Sequence, residues 1–242
     1  MRMQHHKNRR FGKYQLATAI IGVMVCSPSS AQFSFQSVAN TDYVVQGISQ
    51  TLGDPTLQAG IGYNSSNGLF CGIWAAENSL YSRYGNRKTL REVDYYLGWQ
   101  TALDSGDAWS ATVSHYSYPG EERYSDYAYN ELLLSYEYRT GFTGSIGYYD
   151  NFYNYNRHSM FAEIAYDVAF SETTVLNFGY GFHNTEKLFG RDYRYWNIGV
   201  TQLLGKLNMN LNYINTDSNG IAIFGEQAAG DRWVFSISFS LP

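Results

Sequence analysis

Several stretches of the chain alternate between apolar and polar residues with a period of two. In the last of them one face carries five apolar side chains, Trp233, Phe235, Ile237, Phe239 and Leu241. Similar alternation surrounds residues 95, 165 and 210. Because successive side chains of a β-strand point to opposite faces, this period predicts strands with one apolar and one polar face. The pattern therefore favours an all-β fold.

The predicted strands are long. They run to about 9 to 12 residues, whereas strands of soluble proteins usually have about 5 to 6. Aromatic residues crowd the strand ends on the apolar face, as in the girdles at two membrane interfaces. We predict twelve strands, with ten as the alternative, at residues 43–50, 56–64, 69–76, 89–101, 108–118, 127–139, 142–152, 159–170, 173–183, 192–203, 206–215 and 231–241.

The lengths of the connections alternate as well. Five are short (65–68, 102–107, 140–141, 171–172 and 204–205), and five are longer and more polar (77–88, 119–126, 153–158, 184–191 and 216–230). Only the first, 51–55, breaks this rule by being brief. Short periplasmic turns and longer outer loops are typical of a transmembrane antiparallel up-and-down β-barrel in the outer membrane. An even strand number places both termini on the periplasmic side.

Composition narrows the class of protein. The chain has 23 Tyr, 14 Phe and 5 Trp, and only 16% of its residues are charged. Disordered chains lack such aromatic content, and a strongly basic nucleic-acid-binding surface is absent at a net charge of −4. We therefore expect no nucleic-acid partner.

Residues 1–31 have the pattern of a cleaved secretory signal peptide. Five basic residues precede the apolar stretch 16–25, and the small residues Ser29, Ser30 and Ala31 follow it. Residues 32–242 would then form the mature barrel, with 12 basic and 21 acidic residues. Its single cysteine, Cys71, excludes an intrachain disulfide, and the pattern does not decide which face of the barrel it occupies.

If the apolar face meets lipid, the polar face lines the lumen. Twelve strands predict a lumen between the filled interior of eight strands and the open channel of sixteen. A ring of carboxylates there would favour cations, although pairing with arginines could instead plug the barrel. The candidate pore-lining residues are Glu92, Asp94, Glu131, Glu137, Arg139 (the main counter-charge), Glu163, Asp167, Asn208, Asn210 and Asn212.

An enzymatic alternative depends on one His/Ser pair. His115 and Ser117 share a strand face, and Glu131 lies on the next strand, which in outline resembles a lipid hydrolase site. However, the pattern assigns His115 and Ser117 to the lipid face and Glu131 to the lumen. We therefore predict no enzyme, and the chain shows no metal or cofactor motif.

The stretch from Thr41 to Pro55, TDYVVQGISQTLGDP, resembles the opening of the TorF-type family of Gram-negative porins. Residues 68–74, 92–96, 116–120 and 129–131 are similar to later parts of that family. The resemblance implies an outer-membrane barrel with a role in transport. The chain departs from the usual aromatic end of outer-membrane proteins, because it finishes Phe239-Ser240-Leu241-Pro242.

Together these features predict a narrow, mildly cation-preferring porin-like channel for passive diffusion of small hydrophilic solutes. Its expected partners are outer-membrane lipids, lipopolysaccharide, the outer-membrane assembly machinery and the solutes themselves. The main alternative is a structural or adhesive barrel with a plugged lumen, and a lipid-modifying hydrolase is the third.

Overall fold

The computed structural model describes residues 31–81, 87–119 and 127–241, and the predicted signal peptide, apart from Ala31, lies outside them. Twelve antiparallel strands close into a barrel, which confirms the predicted fold and strand number. The strands are β1 (Gln32–Asn40), β2 (Val44–Val45), β3 (Ile48–Ser49), β4 (Thr56–Asn64), β5 (Leu69–Tyr81), β6 (Arg87–Ala102), β7 (Ala108–Ser117), β8 (Tyr129–Tyr138), β9 (Phe142–Tyr149), β10 (Ser159–Ala169), β11 (Thr174–Asn184), β12 (Tyr193–Leu204), β13 (Leu207–Thr216) and β14 (Arg232–Leu241).

Each barrel strand pairs with the next one along the chain, and the first pairs with the last. β1 lies between β4 and β14, with Phe35 opposite Leu241 at one end and Asn40 opposite Ser236 at the other. The short strands β2 and β3 pair only with each other and form a separate hairpin. Closure leaves no open sheet edge, so all barrel strands are paired on both sides.

The prediction that residues 43–50 form the first barrel strand is wrong. The first barrel strand is β1, residues 32–40, and residues 43–50 form the β2–β3 hairpin instead. Gln46 and Gly47 between the two short strands have φ values of 50° and 79°, which turn the chain back on itself. The connection from β1 to β4 is consequently residues 41–55, so the first connection obeys the length alternation after all.

The two ends of the barrel differ in their connections. We call the end with the connections 65–68, 103–107, 139–141, 170–173 and 205–206 the turn end, and the opposite end the loop end. The loop end carries residues 41–55, a 3-10 helix (Phe152–Asn154) and the helices α1 (Glu186–Phe189), α2 (Ser218–Phe224) and α3 (Glu226–Ala229). At the turn end, Gly141 shows why the turns are tight, because a Cβ there would lie 2.3 Å from the carbonyl oxygen of Asp167.

The outer face of the barrel is an exposed apolar surface, with an aliphatic zone in the middle and an aromatic zone at each end. Aliphatic side chains such as Ile61, Leu97 and Ile146 occupy its middle. Aromatic side chains flank them: Phe33, Tyr63, Trp99, Trp109, Tyr136, Phe142 and Tyr166 near the turn end, and Tyr148, Tyr180, Trp196, Tyr213 and Trp233 near the loop end. Exposed apolar bands with aromatic girdles are typical of barrels that span a bilayer. Cys71 is exposed on this outer face.

Within the described residues, no helix is both long and apolar enough to cross a membrane.

Candidate functional site in the barrel lumen

The interior wall of the barrel carries many polar side chains, among them most of the predicted site residues. On β6, Glu92 and Asp94 are buried and alternate with the outward-facing Val93 and Tyr95. The same alternation gives the interior side to nine of the ten candidate residues: Glu92, Asp94, Glu131, Glu137, Glu163, Asp167, Asn208, Asn210 and Asn212.

Arg139, predicted as the main counter-charge in the lumen, does not lie there. It is exposed in the turn after β8, where its guanidinium donates to the carbonyl oxygen of Ser105 at 3.2 Å and lies over the ring of Tyr138. Arg232, at the start of β14, does face the interior. It forms an ion pair with Asp42 at 2.8 Å, with both side chains largely buried.

Residues 41–55, which we call the inner segment, cross the lumen at the loop end. Tyr43 donates to Glu92 on β6 at 3.1 Å, and Gln46 donates to the Tyr149 hydroxyl on β9 at 3.0 Å. The Thr216 hydroxyl, on β13, donates to the carbonyl oxygen of Gly47 at 2.8 Å. Because these strands lie on different sides of the closed barrel, a segment that contacts all of them narrows the lumen.

Asp42 organises the inner segment from within. Its Oδ1 accepts from the hydroxyls of Ser49 at 2.5 Å and Thr51 at 2.8 Å, while its Oδ2 accepts from Arg232. The Thr51 hydroxyl oxygen also accepts from the backbone N–H of Tyr43 at 3.0 Å. Thus one buried carboxylate joins both sides of the hairpin to the barrel wall.

Apolar contacts also hold the inner segment. Ile48 and Leu52 pack with Tyr193 and Tyr195 of β12 and with the last residues of α3. Gly47 meets this wall so closely that a Cβ would lie 2.5 Å from Cβ of Tyr195. The hairpin is therefore fitted to the wall in shape as well as in polarity.

Four carboxylates, Glu92, Asp94, Glu131 and Glu163, form what we call the acidic cluster. Asp94 lies close enough to both Glu92 and Glu131 to interact electrostatically, and Glu131 interacts likewise with Glu163. Their hydrogen-bond donors are neutral: Tyr43 and Asn78 for Glu92, Tyr116 for Glu131 at 3.0 Å, and Tyr195 for Glu163 at 2.5 Å.

Aromatic side chains surround the acidic cluster at the loop end. Tyr118, Tyr129, Leu133, Tyr149, Phe152 and Phe161 form a buried apolar group. Tyr116 stacks on Tyr129 with ring centroids 4.7 Å apart, and Tyr129 meets Tyr149 edge-on at 5.4 Å. These rings fill the lumen at the loop end and hold in place the hydroxyl groups that contact the carboxylates.

Amide and hydroxyl groups cover the facing wall. Asn177 accepts from Thr201 at 2.7 Å and from Asn210 at 3.2 Å, and it donates to Asp167 at 3.0 Å. On the same wall Asn197 donates to Asn212 at 3.2 Å. The wall therefore presents neutral groups that largely satisfy one another, in contrast to the acidic side.

Interior glycines make room for large neighbouring side chains. A Cβ at Gly60 would lie 2.4 Å from the ring of Trp74, and one at Gly181 would lie 2.2 Å from the ring of Tyr195. Side chains that lie flat against the wall at such positions occupy less of the lumen.

At the turn end, the carboxylate of Asp107 is held by several hydrogen bonds. Asp107, in the turn before β7, accepts from Ser105 at 2.8 Å, from Tyr136 at 3.1 Å and from the backbone N–H of Arg139 at 3.2 Å. Desolvation acts in the opposite direction, but these hydrogen bonds hold the pKa of Asp107 below its ordinary value. The turn end is thereby fastened between β7 and β8.

The proposed hydrolase residues do not come together. His115 and Ser117 face outward, whereas Glu131 faces the lumen. His115 Nδ1 lies 2.9 Å from Oδ1 of Asn130, and the Ser117 hydroxyl donates to the carbonyl oxygen of Val93. In the described part of the chain, no group of three or more His, Cys, Asp or Glu residues could hold a metal ion.

The sequence matches one known family. The profile of a family described as "Bacterial protein of unknown function (Gcw_chp)" matches residues 26–241. No curated protein matches the sequence significantly.

Two solved KdgM porin structures resemble the barrel in fold. A KdgM porin is similar at a TM-score of 0.53 and 10% identity, over 86% of this chain and 99% of that chain. The KdgM porin in complex with disordered oligogalacturonate gives a TM-score of 0.50 and 9% identity, over 88% of this chain and 99% of that chain. Pseudomonas aeruginosa OccK7 (OpdD) gives 0.42 and 14%, over 88% of this chain and 65% of that chain.

Proposed function

We propose a channel function for this chain, which belongs to the Gcw_chp family of bacterial proteins of unknown function. The barrel inserts in the outer membrane of a Gram-negative cell and passes small hydrophilic solutes by passive diffusion, with a mild preference for cations. The observation that carries the proposal is the acidic cluster on the interior wall of a closed twelve-stranded barrel.

The outer surface supports the membrane placement. Leu57, Ile61 and Leu97 are each about three-fifths exposed, at 66%, 58% and 61%. Exposing such side chains to water costs about 25 cal/mol per Å² of apolar area, whereas lipid removes that cost. Lipids and lipopolysaccharide would cover this belt after export by the signal peptide and insertion by the assembly machinery. Short turns would then face the periplasm and loops the outside.

The interior supports the cation preference. Fixed carboxylates in a narrow lumen attract cations and repel anions. Glu92 and Glu163 accept hydrogen bonds from neutral donors, so their charge acts on the lumen. The KdgM porin of the comparison was solved with an oligogalacturonate, an acidic oligosaccharide. We expect this chain, which shares fold but little sequence with it, to disfavour such an anion.

The inner segment specifically supports the alternative of a structural barrel with a plugged lumen. Tyr43, Gln46 and Gly47 connect it to three separate wall strands. A permanently docked segment would leave a folded barrel that conducts no ions. The resemblance to TorF-type porins, which begins with this same segment, favours transport.

Ion selectivity tests the proposal directly. The refolded mature chain is placed in a planar bilayer with a salt gradient, and the reversal potential is compared with that of the triple variant Glu92→Lys/Asp94→Lys/Glu163→Lys. We expect discrete conductance steps in the wild type, with a reversal potential that indicates cation preference. In the triple variant we expect the reversal potential to indicate anion preference. Should the reversed charges prevent folding, the corresponding Gln/Asn/Gln variant is expected to abolish the preference.

The matched control is Glu172→Lys, since Glu172 is exposed in a turn outside the lumen. It is expected to leave selectivity unchanged. A folded wild-type barrel that never conducts would instead support the plugged structural protein, and conductance with unchanged selectivity in the triple variant would refute the role of the carboxylates.

A further inference from the structure

We infer that the acidic cluster is a binding site for a small organic ammonium solute, such as a diamine, and that Tyr43 occupies part of this site while the inner segment is docked. The inference rests on the proposed channel for the route by which the solute arrives. The site itself follows from contacts of the acidic cluster, the neighbouring rings and the inner segment.

The acidic cluster has no basic partner among the side chains that the structure describes. No Lys or Arg of that set forms an ion pair with Glu92, Asp94, Glu131 or Glu163. Phenol hydroxyls and one amide are their donors. Buried carboxylates without a cation are costly, so binding of a positively charged solute would stabilise the cluster.

Two buried oxygens, one in the acidic cluster and one beside it, point to the same kind of ligand. Asp94 is only 1% exposed, and its Oδ1 has no hydrogen-bond partner. Asn78 is fully buried, and its Oδ1 also lacks a partner although its amide nitrogen donates to Glu92 at 2.9 Å. Both atoms are acceptors in need of a donor, and an ammonium group supplies three donors and accepts none.

Aromatic rings beside the carboxylates favour an organic ammonium. Tyr116 donates to Glu131, and its ring stacks on Tyr129. Trp74 pairs with Asp94 across β5 and β6 and faces the interior. Ring faces attract alkylammonium groups through the cation–π interaction, and they also pack against the methylene groups of a diamine.

Tyr43 stands where such a solute would bind. Its hydroxyl donates to Glu92, and Gln46 of the same segment donates to Tyr149. The Tyr43 hydroxyl brings no positive charge to Glu92, whereas an ammonium group adds Coulombic attraction to the carboxylates of the acidic cluster. A diamine can therefore displace the Tyr43 hydroxyl, and a neutral diol of the same length cannot.

Calorimetry on the refolded full-length mature chain in detergent tests the site without requiring conductance. Putrescine is titrated at constant ionic strength and compared with 1,4-butanediol, its neutral counterpart. Saturable binding of putrescine, at least tenfold tighter than that of the diol, is expected. A shift in the fluorescence of Trp74, measured against a Trp74→Phe variant, provides a second readout.

Three variants distinguish this site from general charge attraction. Asp94→Asn is expected to weaken putrescine binding at least tenfold, and Glu172→Gln in the turn outside the lumen is expected to leave it unchanged. Tyr43→Phe, which removes the competing donor while keeping the ring, is expected to tighten binding several-fold.

Equal effects of Asp94→Asn and Glu172→Gln, or equal binding of diamine and diol, would overturn the inference. A barrel that binds putrescine but never conducts would refute the proposed channel and leave the site standing. A cation-preferring channel without saturable putrescine binding would refute the binding site and leave the proposed channel standing.

Discussion

The two halves of the lumen are built differently, although the same strands form both. At the loop end, the inner segment, the acidic cluster and the packed rings fill the interior. At the turn end, small or polar side chains such as Ser34, Ser238 and Ser240 line the wall and are only partly buried. In the proposed channel, the barrel would thus set the width of the lumen, and one connection would set its constriction.

Replacing residues 44–49 with a short Gly-Ser linker should have the largest effect. Removal of the hairpin deletes the crossing of the lumen and widens the loop end, although the packed rings stay in place. We expect single-channel conductance in a planar bilayer to rise several-fold.

The control for this replacement lies in the same connection. Gly53, Asp54 and Pro55 are exposed, so replacing them with serines should leave conductance near that of the wild type. An unchanged conductance after loss of residues 44–49 would mean that the constriction lies elsewhere.

Arg232→Gln should release the hairpin without shortening it. Loss of one partner of a buried ion pair costs about 3 kcal/mol or more, which corresponds to a roughly hundredfold rise in the undocked fraction. The labelling rate of a cysteine at Ile48 by a water-soluble maleimide, in a Cys71→Ser background, measures that fraction.

The matched control for this variant is an exposed pair of the same type. Arg194 lies 3.9 Å from Asp217, with side chains 55% and 30% exposed. Surface pairs contribute about 0–1 kcal/mol, so Arg194→Gln should hardly change labelling. If both variants label alike, the Asp42–Arg232 pair does not hold the segment.

Gly47→Ala should loosen the hairpin less. The backbone there has φ of 79°, and the new Cβ would meet Tyr195 and Thr216 at 2.5 and 2.6 Å, for a cost of about 1–3 kcal/mol. Gly53→Ala, with φ of 88° but nothing within 4 Å, carries the backbone strain alone. The difference in cysteine labelling between the two variants isolates the steric fit, and no difference would disprove it.

Asp107→Asn should have the smallest effect, and only on the turn end. Its pKa is held below its ordinary value in the folded barrel by hydrogen bonds, despite the opposing desolvation. The stabilisation is therefore present above about pH 4, the unfolded pKa, and is lost as the pH falls through the lower folded value. Heat-modifiable gel migration should show a lower unfolding temperature for the variant at pH 7 and no difference near pH 2.

Asp104→Asn, in the same turn, is the control for this titration. A difference that persists at pH 2 would show that the variant acts through packing and not through the charge of Asp107.

Much of the wall could be predicted because the strand period fixes both faces. The alternation through Glu92 and Glu163, with the apolar residues between, carries the information that places them on the interior side. The same rule places His115 and Ser117 outside. The lengths of the connections determine the strand number, which the barrel confirms.

The inner segment could not be predicted from alternation. Val44 and Ile48 are apolar because they pack against the wall of the lumen, so with Val45 they imitate a barrel strand. Two signals were present: the brief connection 51–55 broke the length rule, and Phe33 and Phe35 alternate with Ser34 and Gln36 just before it. Pairing across the lumen depends on contacts far apart in sequence, such as that of Thr216 with Gly47.

The most direct test of the channel is a paired bilayer recording of the wild-type chain and the variant lacking residues 44–49, both under a salt gradient. We expect small cation-selective steps for the wild type and larger steps, still cation-selective, for the variant. Silence of both folded barrels, or an anion-sided reversal potential in either, would contradict it.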